Sequence, residues 1–355
     1  MSQLFTPLRL RELEFRNRIF VSPMCQYSCS DGLANTWHLV HLGARAVGGA
    51  GLVMAEATAV APEGRISPND LGLWSDAHTE ALRPIARFIK EQGAVPGIQL
   101  AHAGRKASVE VPWKGGSAVP AAAGGWQPLS ASALAFAPGS PQPRALDVAE
   151  LDALVQQFVD ATGRAQAAGF EVVEIHMAHG YLLHEFLSPL SNRRSDDYGG
   201  VLANRARLPR RVAEAVRKRW PATLPVFVRI SASDWVEGGW NLAQSVTLAR
   251  WLKDTGIDLI DCSSGGLVPN ARIPAGPGFQ TPFATAIRAQ VGISTGAVGF
   301  ITDAVQAEQI VATGLADAVF MARELLRDPY WPLHAARQLG VDLAWPPQYE
   351  RAKPR

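Results

Sequence analysis

Cysteine and net charge are both scarce in this chain of 355 residues. Three cysteines, Cys25, Cys29 and Cys262, cannot form a disulfide framework, and a chain of this length needs none to stabilise a core. The formal net charge is +2 at pH 7, which is too small to indicate a nucleic-acid partner or an anionic membrane surface. These features exclude a disulfide-rich secreted module and a basic nucleic-acid-binding protein.

Long apolar segments are absent as well. No stretch approaches the roughly 20 apolar residues that a membrane-spanning helix requires. Charged residues recur every few positions along residues 1–20, so the N-terminus lacks the apolar region of a signal peptide. We therefore expect a soluble, cytoplasmic protein whose thiols are reduced and which binds neither nucleic acid nor membrane.

What the sequence does contain is a repeated alternation of short apolar runs and helical periodicity. Eight runs predict strands, at residues 18–22, 51–56, 96–100, 171–176, 225–230, 257–262, 293–296 and 317–321. Most are apolar throughout, as parallel strands are when both faces are covered. Eight strand–helix units predict a single (β/α)8 TIM barrel over residues 1–355. A doubly wound sheet is the alternative, but no Gly-x-Gly-x-x-Gly motif follows the first strand.

The clearest helix is predicted between the third and fourth strands. Residues 148–168 carry one apolar stripe, and Asp147 with Glu150 has the spacing of a capping box before it. Glycines that end a helix precede several strands, at Gly93, Gly169, Gly256 and Gly314.

One connection is much longer than the others. Residues 105–145, between the third strand and its helix, are rich in Gly, Pro, Ala and Ser. Such a long connection is usually functional or mobile, and this one leaves the end of the barrel that carries active sites. We expect a lid-like insertion; a disordered surface loop is the alternative.

Polar and ionisable residues occupy the ends of the apolar runs. Because catalytic groups of TIM barrels lie at the C-terminal ends of the strands, this placement predicts an active site there. An isolated buried polar residue could be a satisfied part of the core, but several strands repeat the pattern. The residues concerned are Cys25, Gln99, His102, His176, His179, Tyr181, Arg229, Ser263, Ser264 and Arg323.

The last two strands indicate an anion site. Small residues, including Ala297 and Gly299, follow the seventh strand, and Ala322-Arg323 follows the eighth. Backbone N–H groups and the positive charge of Arg323 suit a phosphate group, which barrels often bind at this position.

The spacing His176-x-x-His179 permits other interpretations. Histidines three residues apart can share a zinc ion, but no cysteine or carboxylate pair at ligand spacing lies nearby, so no metal is predicted. Purely structural histidines are a second alternative. The favoured interpretation is a pair of donors that hold the carbonyl oxygen of a ligand.

The sequence resembles the Old Yellow Enzyme family of FMN-dependent ene-reductases. The segments that carry the resemblance are LFTPLRLRELEFRNR at residues 4–18, SPMCQY at 22–27, QLAHAGRK at 99–106, HMAHGYLLHEFLSPLSNRRSDDYGG at 176–200 and QYER at 348–351. They span nearly the whole chain. The cysteine in SPMCQY and the QYER segment are similar to the bacterial thermophilic-like branch, which includes NADPH dehydrogenases and xenobiotic reductases.

The resemblance implies tightly bound FMN at the barrel mouth. Cys25 would tune its potential, Gln99 and Arg229 would meet its pyrimidine end, and the strand-seven and strand-eight loops would hold its phosphate. The implied FMN-binding residues are Ser22, Pro23, Met24, Cys25, Ala57, Gln99, Arg229, Ala297, Gly299, Ala322 and Arg323. Ala322 stands where the family usually has glycine, and its methyl group could crowd the phosphate.

The resemblance also implies a reaction. NADPH would reduce the flavin transiently, and an electron-poor alkene such as an enone, maleimide or nitroalkene would then be reduced at its C=C bond. His176 and His179 would bind its activating oxygen, Tyr181 would donate the proton, and Tyr27 would add a substrate hydrogen bond.

The C-terminal residues 342–355 are expected at a subunit interface of a homodimer or a dimer-built tetramer. Pro346 and Pro347 should make this tail project, and by the resemblance Arg351 would reach the neighbour's substrate pocket. A frayed, solvated terminus is the alternative.

The sequence leaves two other functions open. A barrel aldolase or isomerase needs a lysine or an acid–base carboxylate at a strand end, and Glu56 is the main carboxylate there. A non-catalytic flavin-binding protein would need neither the histidine pair nor Tyr181.

Overall fold

Eight parallel strands close into a barrel in the computed structural model, which describes residues 2–354. We number the barrel strands β1 to β8; each pairs with the next, and β8 pairs with β1. Their bounds are Ile19–Val21, Leu52–Ala59, Val95–Ala101, Val172–Met177, Val226–Ser231, Leu259–Ser263, Ser294–Val298 and Ala318–Met321. The predicted (β/α)8 fold is confirmed, and a doubly wound sheet is wrong.

A helix follows each strand and covers the outside of the barrel. The eight helices are Thr36–Val47, Asp76–Glu91, Val148–Ala168, Arg207–Arg219, Leu242–Asp254, Thr281–Val291, Ala304–Ala312 and Trp331–Gln338. Shorter helices are inserted at Leu182–Leu187, Leu202–Arg205 and Arg323–Arg327. None of the helices within residues 2–354 is long and apolar enough to cross a membrane.

The helix Val148–Ala168 has the predicted bounds, and both bonds of its capping box are present. The Glu150 N–H donates to Asp147 Oδ1 over 2.9 Å, and the Asp147 N–H donates to Glu150 Oε2 over 2.8 Å. Gly169 ends the helix at φ +96°, a conformation that strongly favours glycine.

An aromatic cluster fills the N-terminal end of the barrel. Phe20 packs against Phe320 at a ring-centre distance of 5.3 Å and against Phe227 at 6.4 Å. Phe15, from an N-terminal hairpin of Leu8–Leu10 and Leu13–Phe15, lies 4.9 Å from Phe20. Because this end is packed with fully buried rings, the polar strand ends face the opposite mouth.

The insertion at 105–145 contains two 3-10 turns, Pro112–Lys114 and Ala121–Ala123, and two short paired strands, Leu129–Ser130 and Arg144–Ala145. It is fixed to the barrel at several points. The Ser130 hydroxyl donates to Glu185 Oε2 over 2.5 Å, and the Trp126 indole N–H donates to the Glu63 carbonyl over 2.9 Å. These contacts are those of an ordered segment; its role as a lid stays a prediction.

The C-terminal tail does not project as expected. The segment Pro347–Ala352 is a 3-10 helix, because prolines suit the first turn of a helix. Tyr349 packs 6.1 Å from the ring of Tyr330, and Lys353 forms an ion pair with Asp342. The Tyr349 ring therefore contacts the preceding part of the chain, while the Lys353–Asp342 pair lies within the tail and no residue of Pro347–Ala352 is buried. The location of the tail at a subunit interface stays a prediction, and residue 355 of the predicted range lies outside the described residues.

Candidate active site

Three predicted catalytic side chains meet at the barrel mouth. His176 ends β4, His179 and Tyr181 follow it, and the His176 ring centre lies 5.1 Å from the ring centres of both. His176 is buried, whereas His179 and Tyr181 are half-buried. The three side chains are therefore neighbours at the barrel mouth.

Hydrogen bonds restrict how each imidazole can act. The Ala178 N–H donates to His176 Nδ1 over 3.3 Å, so a neutral His176 carries its proton on Nε2. His179 Nε2 lies 2.7 Å from Ser263 Oγ, at the end of β6. When the Ser263 hydroxyl donates to that nitrogen, the His179 proton lies on Nδ1. Each ring then keeps one N–H group for a ligand.

Both histidines are neutral at physiological pH. Burial, followed by the positive charge of Arg229, lowers the pKa of His176 and of His179 well below 6.5. A neutral imidazole can donate a hydrogen bond to a ligand oxygen without bringing a further positive charge into the buried pocket.

The backbone of His179 is held in the left-handed region, at φ +60°. Its N–H donates to Ser231 Oγ over 2.9 Å, and its carbonyl accepts from Lys106 Nζ over 2.9 Å. Gly266 lies close against this backbone. If another residue replaced Gly266, its Cβ atom would lie 2.7 Å from the His179 Cα. Sequence reasoning missed Ser231 and Lys106, although Lys106 ends the QLAHAGRK segment.

Tyr181 begins the short helix Leu182–Leu187. Burial raises the pKa of its phenol, so the hydroxyl stays protonated throughout the physiological range. Lys106 Nζ lies 5.1 Å from the centre of the Tyr181 ring. The arrangement presents a protonated phenol beside the two imidazoles.

Cys25 and Tyr27 lie on the loop after β1. Burial, followed by the charge of Glu56, raises the pKa of Cys25, so its sulfur is a thiol and not a thiolate. Tyr27 has φ +49°, and its ring lies 5.8 Å from that of Trp113 in the insertion. The insertion thus contacts a predicted substrate residue.

Glu56 is the carboxylate that an aldolase or isomerase would require, but both of its oxygens contact neighbouring groups. It occupies an irregularity in β2 between Ala55 and Ala57. Its Oε2 accepts from the Gln26 N–H over 2.8 Å, and its Oε1 lies 3.3 Å from His38 Nε2. This carboxylate supports the Cys25–Tyr27 loop and is not free to act as an acid or base.

A buried polar layer crosses the barrel at the predicted pyrimidine end of the flavin. Gln99 Nε2 donates to Glu174 Oε1 over 2.7 Å, and Arg229 Nε lies 3.0 Å from Asp261 Oδ2. All four side chains are buried. The sequence analysis identified Gln99 and Arg229 but missed Glu174 and Asp261. Each of these two is an acidic residue inside an otherwise apolar strand, and that pattern could have indicated them.

The predicted phosphate end is a cleft between the β7 and β8 loops, lined by Gly299, Phe300, Ala322 and Arg323 among others. Gly299 has φ +120°, a conformation that favours glycine, and a Cβ there would also lie 2.8 Å from Gln280 Nε2. The Arg323 guanidinium is exposed and lies 4.6 Å from the centre of the Phe300 ring. Ala297 is fully buried beneath the loop.

These residues fit a flavin mononucleotide. Ser22 is fully buried, and its Oγ has no hydrogen-bond partner within residues 2–354. Buried orphan groups of this kind normally have a partner, and a bound ligand would supply one. Pro23 and Met24 are half-buried beside it, and Ala57 lies on β2 next to Gln99 on β3.

Two remaining predictions concern Arg351 and metal ions. Arg351 is exposed, and its side chain makes no hydrogen bond or ion pair within residues 2–354, so the structure does not bring it to the histidine pair. In the same part of the chain, no three His, Cys, Asp or Glu side chains are grouped to hold a metal ion.

Comparison with known proteins relates this site to flavoenzymes. Residues 3–342 match the NADH:flavin oxidoreductase / NADH oxidase family. The chain is 50% identical over 350 residues to an NADPH dehydrogenase of Geobacillus thermodenitrificans, covering 98% of each chain. It is 47% identical over 351 residues to the NADPH dehydrogenase of Bacillus subtilis, again covering 98% of each.

Solved structures give the same result. Morphinone reductase superposes with a TM-score of 0.79 at 28% identity, covering 98% of this chain and 92% of that one. The Old Yellow Enzyme homologue from Zymomonas mobilis superposes with a TM-score of 0.77 at 25% identity, covering 99% of each chain. The resemblance found in the sequence is confirmed: the chain belongs to the NADH:flavin oxidoreductase / NADH oxidase family and is an FMN-dependent oxidoreductase.

Proposed function

We propose that this protein uses NADPH to reduce the C=C bond of electron-poor alkenes such as enones, maleimides and nitroalkenes. The observation that carries the proposal is that two neutral imidazoles and a protonated phenol lie side by side at the barrel mouth. An aldolase or isomerase is disfavoured because Glu56 is bonded to the Gln26 backbone and lies beside His38. A flavin-storage protein would have no use for the three aligned side chains.

FMN, when bound, supplies the hydride that it has accepted from NADPH. Gln99 and Arg229 would hold its pyrimidine end, and Gly299, Ala322 and Arg323 would hold its phosphate. Ala322 stands where the family usually has glycine, and its methyl group leaves the backbone N–H available. Cys25, as a neutral thiol, would lie along the flavin edge and tune its potential.

The histidines bind and polarise the alkene. His176 Nε2–H and His179 Nδ1–H donate hydrogen bonds to its carbonyl or nitro oxygen, and Tyr27 supplies a further one. These bonds strengthen as hydride reaches the β-carbon and negative charge accumulates on the oxygen. Ser231 and Ser263 fix the orientation of His179, and so act as positioning residues.

Tyr181 completes the reduction. It transfers its phenolic proton to the α-carbon, so that one hydride and one proton add across the double bond. A phenol is a weak acid, but a carbanion-like carbon held within reach is a strong enough base to accept its proton. Solvent then returns a proton to the Tyr181 oxygen.

The proton-donor role predicts unequal effects on the two half-reactions. In Tyr181→Phe, reoxidation of the reduced flavin by cyclohexenone should slow by about 10²–10⁴-fold, because general-acid assistance is lost. Flavin reduction by NADPH should change little. Stopped-flow absorbance measures both rates. Tyr198→Phe is the matched control, since Tyr198 is buried and bonded to Arg211 away from the mouth. Equal slowing of both half-reactions in Tyr181→Phe would exclude this role.

The neutral state of the histidines predicts a flat pH dependence. Because the pKa values of His176 and His179 lie well below 6.5, both rings stay neutral donors from pH 6 to pH 8. The apparent affinity of the reduced protein for cyclohexenone should therefore be constant across this range. Stopped-flow reoxidation at varied enone concentration measures it. A transition centred near pH 6.5, the ordinary value for histidine, would show that a ring titrates and that the account is wrong.

We also propose that the protein is a homodimer or dimer-built tetramer in which Arg351 enters the partner's substrate pocket. Two features support it: Arg351 is exposed and has no bonding partner within residues 2–354, and Tyr349 is exposed beside it. Aromatic and arginine side chains are enriched at interfaces.

Arg351→Ala should therefore raise the apparent Michaelis constant for alkenes about tenfold, because one charge-assisted bond is lost. FMN content should stay unchanged. Arg87→Ala is the control, since Arg87 is exposed on the helix Asp76–Glu91 and forms an ion pair with Glu91 of the same helix. Steady-state kinetics and light scattering measure the outcome. Unchanged kinetics in Arg351→Ala, or a wild-type protein that is a monomer by light scattering, would refute the shared site.

A further inference from the structure

Four buried polar side chains lie on four consecutive strands as two neighbouring pairs, which we call the row. Gln99 on β3 lies beside Glu174 on β4, and Arg229 on β5 lies beside Asp261 on β6. The Gln99 amide donates to Glu174 over 2.7 Å, and Arg229 Nε lies 3.0 Å from Asp261 Oδ2. Each of the two predicted flavin contacts is thus held by a carboxylate from the next strand.

The charges in this row do not balance. Glu174 and Asp261 are fully buried, yet Arg229 is the one cation paired with either of them within residues 2–354. Glu174 Oε2 and both Asp261 oxygens have no well-aligned hydrogen-bond donor there. Burying two carboxyl groups near a single guanidinium costs folding free energy. The proposed reaction uses neither group as an acid or a base.

The two carboxylates differ in their surroundings. Asp261 faces the guanidinium directly, and an ion pair stabilises its charged form. Glu174 makes no ion pair; burial, followed by the Asp261 charge, raises its pKa. Burial raises the pKa of Asp261 as well, while Arg229 opposes that rise. A proton retained in the row therefore resides mainly on Glu174, and the negative charge mainly on Asp261.

We propose that Asp261 is a potential-setting residue, whose buried carboxylate opposes the positive charge of Arg229 and so lowers the reduction potential of the bound flavin. The inference rests on the proposed placement of the flavin against Arg229. Reduction by two electrons and one proton leaves negative charge on the pyrimidine end, which Arg229 stabilises. A fixed carboxylate behind Arg229 weakens that stabilisation, and in a dry interior the effect is little screened.

The test is the midpoint potential of FMN in the holoenzyme carrying Asp261→Asn. This nearly isosteric change removes the charge, so the reduction equilibrium should shift about tenfold toward reduced flavin, which for a two-electron couple is about 30 mV. Spectroelectrochemical titration against a reference dye measures it. An unchanged or lower potential would overturn the proposal, because Asp261 would then only position Arg229 or do nothing.

Three further variants keep the result interpretable. Glu174→Gln should shift the potential less, because less negative charge is removed. Glu185→Gln should leave the potential unchanged, since this buried carboxylate is bonded to Ser130 and the Arg105 backbone and not to Arg229. Asp261→Glu keeps the charge and should keep the wild-type potential. Two of these results remain decisive if Asp261→Asn does not fold. A tenfold shift of the reduction equilibrium in Asp261→Glu would overturn the proposal, because the charge is kept there. A shift in Glu185→Gln that is larger than the shift in Glu174→Gln would overturn it as well.

Failure of the flavin placement can be separated from failure of this inference. Arg229→Gln should weaken FMN binding, measured by flavin fluorescence on addition to the apoprotein, and should lower the potential. If neither happens, the placement of the flavin is wrong. If both happen while Asp261→Asn leaves the potential unchanged, the role of Asp261 alone is wrong. Alkene reduction by the wild-type protein tests the proposed reaction independently of either result.

Discussion

The electrostatics of the site depends on the burial of its polar strand ends, with Arg229 on β5 in register with His176 on β4. Burial, followed by the positive charge of Arg229, makes the imidazolium form unfavourable, so both histidines of the mouth stay neutral and can act as hydrogen-bond donors. In the proposed placement of the flavin, the same guanidinium would provide the positive charge that the reduced form needs. One cation, fixed by strand register, would then serve the proposed alkene site and the cofactor site together.

The barrel supplies this pairing because its register is rigid. Adjacent parallel strands place Gln99 beside Glu174 and Asp261 beside Arg229 without any contribution from loops. The loops then add what the strands cannot: the left-handed turn at His179, the phenol of Tyr181 and the phosphate cleft at Gly299. Precise charges on strands and adaptable ligand contacts on loops suit an enzyme that must accept two different partners at one face.

The strands and the site were largely predictable from the sequence, for physical reasons. Strands covered on both faces are continuous apolar runs, so all eight were found, and strand-end polar residues identified the mouth. The partners Glu174, Asp261 and Ser231 were missed, because their importance arises from register between strands that are distant in the chain. The local form of the tail was missed, because the sequence did not indicate that Pro347 begins a 3-10 turn or that the Tyr349 ring contacts Tyr330; its place at a subunit interface stays a prediction.

The central claim is that His176 and His179 together hold the oxygen of a ligand over the flavin. Titration of the oxidised protein with a phenol, followed in the visible flavin spectrum, tests it directly. The account predicts that His176→Ala and His179→Ala each raise the dissociation constant about tenfold, as expected for the loss of one hydrogen bond of about 1.4 kcal/mol. A dissociation constant that is unchanged in both variants would contradict it.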